Sequence, residues 1–381
     1  MAFPGVNISI SNGGLQQEIA VLDSVPCLAA TAQQTANIHA VKQVYNLQDA
    51  EGKGYTEAAE PFIYNLLKEY YTELAGKQLL YVYGTAETET MADVLSVTNT
   101  NGIKKALDES NGDINLVAIA RKPSSNYSAG LAFLDSDVSA AVTAAKTLAQ
   151  EAQGKNTPIR IFVEGRVANE ATANTYSPKQ QTNGYAAVVL GGTTNDGSAA
   201  VSLALARAVK YPAHVKLGNG QNGALSALQI YIGTSPIEDR QDMETLHDAG
   251  FLTFHHRPGT AGYYFGRDNM CSVDDYKILV HGRVIDKSQR IAALAYLPYI
   301  ENSIVLESNG NIPKVQASYY ESVIDSAVRA QMSEQISDVK VSVDTQQDIV
   351  NTSTMQVKVS ILPLGYLTWI NVVIGLTANI E

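Results

Sequence analysis

The sequence predicts an α/β (α+β) chain in two parts with an extended arm at each end. The first part is an α/β region with a mixed, largely parallel sheet. The second is a C-terminal domain of helices on a β-hairpin. Three patterns carry this reading. Short, continuous apolar runs alternate with helical segments from about Thr56 to Ile300, as strands covered on both faces by helices do. Two strictly alternating segments follow, each with one apolar face, which marks half-buried strands. Both termini carry apolar residues at strand spacing.

In the first part, Glu57 to Ala75 reads as a helix and Gln78 to Gly84 as a buried strand. Ile114 to Arg121 and Ile159 to Val163 are further strands, separated by an alanine-rich helix from Ser136 to Gln153. Ala186 to Leu190 is another strand, and Ala199 to Val209 a helix. In the second part, a helix lies between Asp274 and Tyr299, centred on Arg283 to Arg290. Another starts near Pro313, a residue that tolerates a first turn. Val315, Tyr319, Val323 and Ala327 form its predicted apolar stripe, with Asp325 and Arg329 paired on another side. Val339, Val341 and Val343 then share one strand face, as do Met355, Val357, Val359 and Ile361. The expected organisation is an arm over 1–20, an α/β body over 21–245 with room for an outward insertion, a C-terminal domain over 246–363, and an arm over 364–381.

Composition narrows the function. Hydrophobic residues make up 45% and charged residues 17% of 381 residues, enough for a sizeable core. The net charge of −11 disfavours a phosphate-backbone partner. The opening segment MAFPGVNISIS lacks the basic stretch and apolar core of a secretory signal. The longest apolar run, Leu364 to Leu376, is about 13 residues and too short to span a bilayer. The expectation is a protein made in a cytoplasm, without membrane insertion.

Motifs for chemistry are sparse. Gly218 to Gly223 matches GxGxxG, and Glu238 falls at dinucleotide-fingerprint distance. The segment before it contains Pro212 and His214, and little more than one helical turn follows, so the βαβ context is missing. An α/β nucleotide- or small-molecule-binding enzyme using this loop is the alternative reading. His255 and His256 are adjacent, so on a strand they point to opposite faces. Cys27 and Cys271 show no metal spacing. No catalytic residue, metal ligand or cofactor is assigned.

The terminal segments are more informative. Val6, Ile8 and Ile10 alternate with Asn7, Ser9 and Ser11, giving a strand with one apolar face. Tyr366, Ile370, Val372, Ile374 and Leu376 share one face of the last segment, and Trp369 lies on the other. Pro363 and Gly365 separate it from the preceding strand. Strands at chain ends need a sheet to join, within the chain or on a neighbour.

Gly250 onward resembles contractile tail sheath proteins of the single-chain type. The resemblance rests on Thr260 to Phe265 with Asp268-Asn269, on Asp275-Tyr276, on Arg283 to Lys287, and on the strand–Pro363–strand finish. It implies a structural, non-enzymatic subunit of a phage tail, tailocin or extracellular injection particle, assembled in a bacterial host cytoplasm. Subunits would form hexameric rings or a helical sheath around an inner tail tube, with baseplate and tail-terminator proteins as further partners. Contraction would drive the tube through a cell envelope. The resemblance also makes Val6–Ile10 and Tyr366–Leu376 inter-subunit strands, Pro363 and Gly365 arm hinges, and Lys314, Glu321, Asp325 and Arg329 candidate tube-facing residues. Another tail structural protein, such as a terminator or spike-associated subunit, is a further reading.

Overall fold

A computed structural model describes residues 20–122, 127, 129–131, 133–372 and 374–376. Its body is a six-stranded sheet. The strands are β1 (Pro26–Thr31), β2 (Val41–Val44), β3 (Leu80–Thr85), β4 (Leu116–Ala120), β5 (Arg160–Glu164) and β6 (Ala186–Val189). They lie in the order β2-β3-β1-β4-β5-β6, parallel except for β2, which runs antiparallel to β3. Every residue of β1, β3, β4, β5 and β6 is buried. Both faces are therefore covered, as the continuous apolar runs require. Helix α1 (Pro61–Leu74) pairs with α4 (Val201–Lys210), and α2 (Met91–Leu95) with α3 (Asp137–Gly154), to supply that cover.

The central strand β1 and the edge strand β2 are absent from the sequence-based reading. Pro-Cys-Leu-Ala-Ala-Thr is too poor in β-branched residues to stand out, and β2 carries two polar residues in four. Position overrides propensity here. Flanked by β3 and β4, β1 is fully enclosed, and small side chains suit the close approach of helices.

The body core extends well past residue 246. Phe251, Phe254, Tyr263, Phe265, Cys271 and Leu279 are buried in the same cluster as the sheet. The strands β7 (Phe254–His256) and β8 (Tyr263–Phe265) form an antiparallel pair within it. His255 is half-buried and His256 exposed.

The C-terminal part has its own smaller cores. It is built from α5 (Leu279–Tyr296), α6 (Lys314–Met332) and the antiparallel hairpin β9 (Ile336–Val343) and β10 (Val357–Pro363). The predicted stripe on α6 is corrected. Val315 and Tyr319 are exposed, and Ala317, Tyr320, Ile324, Val328 and Met332 face inward. The first turns carry apolar residues on two sides, and Tyr320 is drawn in by Tyr296, whose hydroxyl donates to its carbonyl at 2.8 Å. Ala327 is buried as expected, and Arg329 pairs with Asp325 at 2.8 Å.

Helix α5 fastens the two parts together with polar groups. The Arg160 guanidinium, at the start of β5, donates to both carboxylate oxygens of Asp286 at 2.6 Å. It also reaches the carbonyls of Gly184 at 2.6 Å and Gly282 at 3.2 Å. A Cβ at Gly282 would sit 2.6 Å from Arg160 Cζ, so glycine is what lets the helix approach this closely. One turn on, Arg290 donates to the carbonyls of Gly112, Ile114 and Pro158. The helix thus satisfies backbone groups that precede β4 and β5.

Candidate functional site: a bare strand edge and an exposed apolar arm

The carboxyl ends of parallel strands are the usual ligand crevice of an open α/β sheet. Here the chain's own carboxylates occupy the backbone N–H groups at those ends. Glu60 accepts from Gln33 N at 2.7 Å, Gln34 N at 2.9 Å and Asn37 Nδ2 at 2.7 Å, beyond β1. Asp137 accepts from Met91 N at 2.5 Å and Ala92 N at 3.2 Å, at the start of α2. Glu164 accepts from Arg121 N at 2.9 Å and Ala199 N at 3.3 Å, just before α4. Burial pushes the carboxyl pKa of both Asp137 and Glu164 up, although hydrogen bonds and arginines oppose it. These donors face internal anions, so a phosphate would have to displace a buried carboxylate.

The glycine loop has a packing role. A Cβ on Gly218 would lie 2.5 Å from the carbonyl oxygens of Phe265 and Gly266. Gly220–Asn222 is a single 3-10 turn, and Glu238 accepts from the Tyr263 hydroxyl and Gln229. Among the described residues, no cluster of His, Cys, Asp and Glu is arranged to hold a metal, and no helix is long and apolar enough to cross a membrane.

The hairpin offers a different kind of site. In an antiparallel pair, alternate residues turn their N–H and C=O away from the partner strand. Val343 N donates to Glu321 Oε1 at 2.8 Å, and Val339 O accepts from Arg329 Nη2 at 2.8 Å. Both bonds run from β9 to α6, so Val339 and Val343 belong to the outward-turned set. Their cross-strand partners are Ile361 and Val357, with Val341 opposite Val359 between them. The outward-turned groups of β10 are therefore those of Val357, Val359 and Ile361. Among the described residues none of these makes a hydrogen bond beyond the hairpin. Among the described residues, one edge of the hairpin is capped by α6 side chains and the other is bare.

The side chains of the bare strand are also incompletely covered. Val357, Val359 and Ile361 are half-buried, and Lys358 and Ser360 on the opposite face are exposed. A groove of about 830 Å³ lies against the inner face, lined by Ala292, Tyr296, Leu297, Ile300, Val357 and Val359 among others. This largely apolar trough, with polar residues such as Asn115 and Arg290 in its lining, lies along a strand whose outward backbone groups have no partner among the described residues. It has the features that strand addition needs.

The last segment presents exposed apolar residues outside any strand. Pro363 ends β10 and its carbonyl accepts from Ser337 Oγ at 2.9 Å. Gly365 follows, with open space where a Cβ would lie. Tyr366 packs back on the body, whereas the next apolar residues do not. Leu367 is 88% exposed, Trp369 84%, Ile370 75%, Val372 71%, Ile374 90% and Leu376 fully exposed. No strand is assigned beyond Pro363 among the described residues. Val6, Ile8 and Ile10 lie outside the described residues. Of the four candidate tube-facing residues, Glu321 and Arg329 are engaged with β9, Asp325 pairs with Arg329, and Lys314 is exposed.

Family comparison places this arrangement. Models for the DUF2586 N-terminal domain and the DUF2586 C-terminal domain match residues 3–269 and 275–381. The chain belongs to the DUF2586 family. The division between the two DUF2586 domains falls just before α5, close to where the body core ends at Leu279. No curated protein matches this DUF2586 chain by sequence. Solved structures match it over its length. The helical sheath of the anti-feeding prophage in its contracted state covers 100% of both chains, at 14% identity and TM-score 0.63. The PVC sheath complex of an extracellular contractile injection system, also contracted, covers 100% of this chain and 98% of its own, at 11% identity and TM-score 0.64. The sheath tail protein of Desulfitobacterium hafniense covers 94% of this chain and 100% of its own, at 11% identity and TM-score 0.51. This DUF2586 chain has the fold of contractile sheath proteins.

Proposed function

We propose that this chain is the structural subunit of a contractile sheath, working by polymerisation and not by catalysis. The observation that carries the proposal is the bare edge of β10 beside an apolar groove, in a chain that also carries an exposed apolar arm. In this reading, arms of neighbouring copies add strands to the hairpin and link the bodies into rings or a helical sheath. The sheath surrounds an inner tail tube, starts on a baseplate, is closed by a terminator protein, and contracts to drive the tube through an envelope. The particle is a phage tail or a phage-tail-like device put together in a bacterial cytoplasm.

The patterns of arm and edge agree. A strand added to β10 places one face in the groove and the other in line with Lys358 and Ser360. Val6, Ile8 and Ile10, with Asn7, Ser9 and Ser11 opposite, have that one-sided character. The C-terminal arm is apolar on both faces and fits a place covered on both sides. Residues 366–376, if extended, reach roughly 36 Å at about 3.3 Å per residue, enough to cross to a neighbouring subunit. Burying six large apolar side chains gives on the order of 9–18 kcal/mol, and ordering the segment costs about 11–22 kcal/mol. The terms nearly cancel, so backbone hydrogen bonds to the bare edge and several joints per subunit decide whether the polymer holds.

The edge can be tested without touching the core. Val359 N–H points away from β9, so Val359→Pro removes an edge donor and no hairpin hydrogen bond. The variant should unfold within about 4 °C of the native chain and form no tubes in negative-stain micrographs. Native-like tubes from Val359→Pro would rule out strand addition at this edge.

A further inference from the structure

The roots of the two arms meet at one loop. The first root is the segment over residues 20–25, which threads between the body and the C-terminal part. Val21 N donates to Gln331 Oε1 at 2.9 Å, and Val25 N to Asn115 Oδ1 at 2.8 Å. The Asp23 carboxylate accepts from Lys287 Nζ at 2.6 Å and from Gln335 Nε2 at 3.2 Å. Arg283 Nη2 bridges from Ser24 Oγ, at 2.8 Å, to the Tyr211 carbonyl, at 3.5 Å. The second root is Tyr366. Its hydroxyl donates to the His214 carbonyl at 2.7 Å. Its ring lies 4.7 Å from Lys216 Nζ and 6.2 Å from the His281 ring.

One root therefore reaches the loop at Tyr211 through Arg283 of α5, and the other binds it directly at His214 and Lys216. Both also touch the first turns of α5, through Arg283 and Lys287 on one side and His281 on the other. The loop itself is firmly held. Ala213 and Leu217 are buried, and Leu217 N donates to the buried Asp268 carboxylate at 3.1 Å. The Asp268 carbonyl in turn accepts from Leu279 N at 2.9 Å, at the start of α5.

We propose that the loop over residues 211–217 and the first two turns of α5 form a single anchor for both arms. The movable joint of the C-terminal arm then lies beyond Tyr366 and not at Pro363 or Gly365. Tension on one arm passes to the root of the other through this loop, by-passing the hairpin. Contiguous packed and hydrogen-bonded groups are what such coupling requires. The tension path rests on the arm reading above, whereas the anchor is a property of the single chain.

Amide hydrogen exchange on the unpolymerised full chain tests the anchor separately from assembly. Tyr366→Ala should speed exchange at least tenfold for residues 213–217, and also at Val21 and Val25. Tyr366→Phe, which keeps the ring contacts and loses the hydroxyl, should give a smaller change at the same amides. Coupling is reciprocal, so Asp23→Asn should speed exchange at the hydrogen-bonded amides of Val215 and Leu217. If Tyr366→Ala leaves Val21 and Val25 unchanged, or Asp23→Asn leaves Val215 and Leu217 unchanged, the roots are independent and the proposal is wrong. Should Tyr366→Ala fail to fold, Tyr366→Phe and Asp23→Asn decide the matter alone. A chain with coupled roots that never forms tubes sinks the sheath reading and leaves the anchor standing. Tubes without coupled exchange do the reverse.

Discussion

Removing residues 367–381 should give a soluble, folded monomer that no longer assembles. The large apolar side chains described in this segment, from Leu367 to Leu376, are all exposed, so the described residues lose no core contact. Tyr366, which packs on the body, is retained with its bond to His214. The unfolding free energy should change by less than about 0.5 kcal/mol, as for surface changes in general. Assembly should respond far more. Each subunit loses one of its joints, and a lost linkage in a multivalent mesh weakens overall association by roughly 100-fold or more. Sedimentation velocity on matched concentrations of full and shortened chain reads both effects. Truncated chain that sediments as large polymers, at the concentration where the full chain does so, would remove the arm from the account.

The second large effect is expected inside the subunit. Arg160→Met leaves the Asp286 carboxylate buried and without its two strongest donors. Breaking one side of a buried ion pair costs about 3–5 kcal/mol, because the remaining charge stays desolvated. The loss should be visible as a lower urea midpoint. Asp286→Leu in the same chain should recover a large part of it, since a well-packed apolar pair can replace a buried ion pair at little cost. The pair joins β5 to α5, so the single variant should also weaken the hold between body and C-terminal part. Equal stability of Arg160→Met and the native chain would show that α5 is held by other means.

Much of the fold was legible in the sequence because burial leaves a periodic trace. Leu80–Tyr83, Leu116–Ala120, Ile161–Val163 and Ala186–Val189 are apolar throughout, and the structure encloses these strands on both faces. The hairpin was legible because Val339, Val341 and Val343 alternate with polar residues and face Ile361, Val359 and Val357 in that order. Strand β1 was not legible, because alanine-rich strands gain their place from neighbours and not from intrinsic preference. The face of α6 was misplaced because Val315 and Tyr319 are apolar yet exposed, so sequence spacing alone pointed a few residues off.

The site was legible in part. An apolar final segment after Pro363 and Gly365 suggests an arm, and the large apolar side chains described from Leu367 to Leu376 are exposed. Which hairpin edge stands open could not be read. It depends on Glu321 and Arg329 reaching from α6 to cap β9, a tertiary fact with no local signature. The convergence of Asp23, His214 and Tyr366 was equally hidden, since Asp23 meets Gln335, which lies 312 positions away, and Tyr366 meets His214, 152 positions away. The carboxylates filling the strand ends, Glu60, Asp137 and Glu164, explain why an α/β body with a glycine-rich loop need not bind a nucleotide.

The most direct test is electron cryomicroscopy of whatever the purified full-length chain forms on its own or around its tube. The account predicts hollow tubes or stacked rings in which a strand from a neighbouring copy lies along Val357, Val359 and Ile361. It is contradicted by a polymer in which that edge stays bare, or by a chain that remains monomeric at every concentration with its terminal segments packed on its own body.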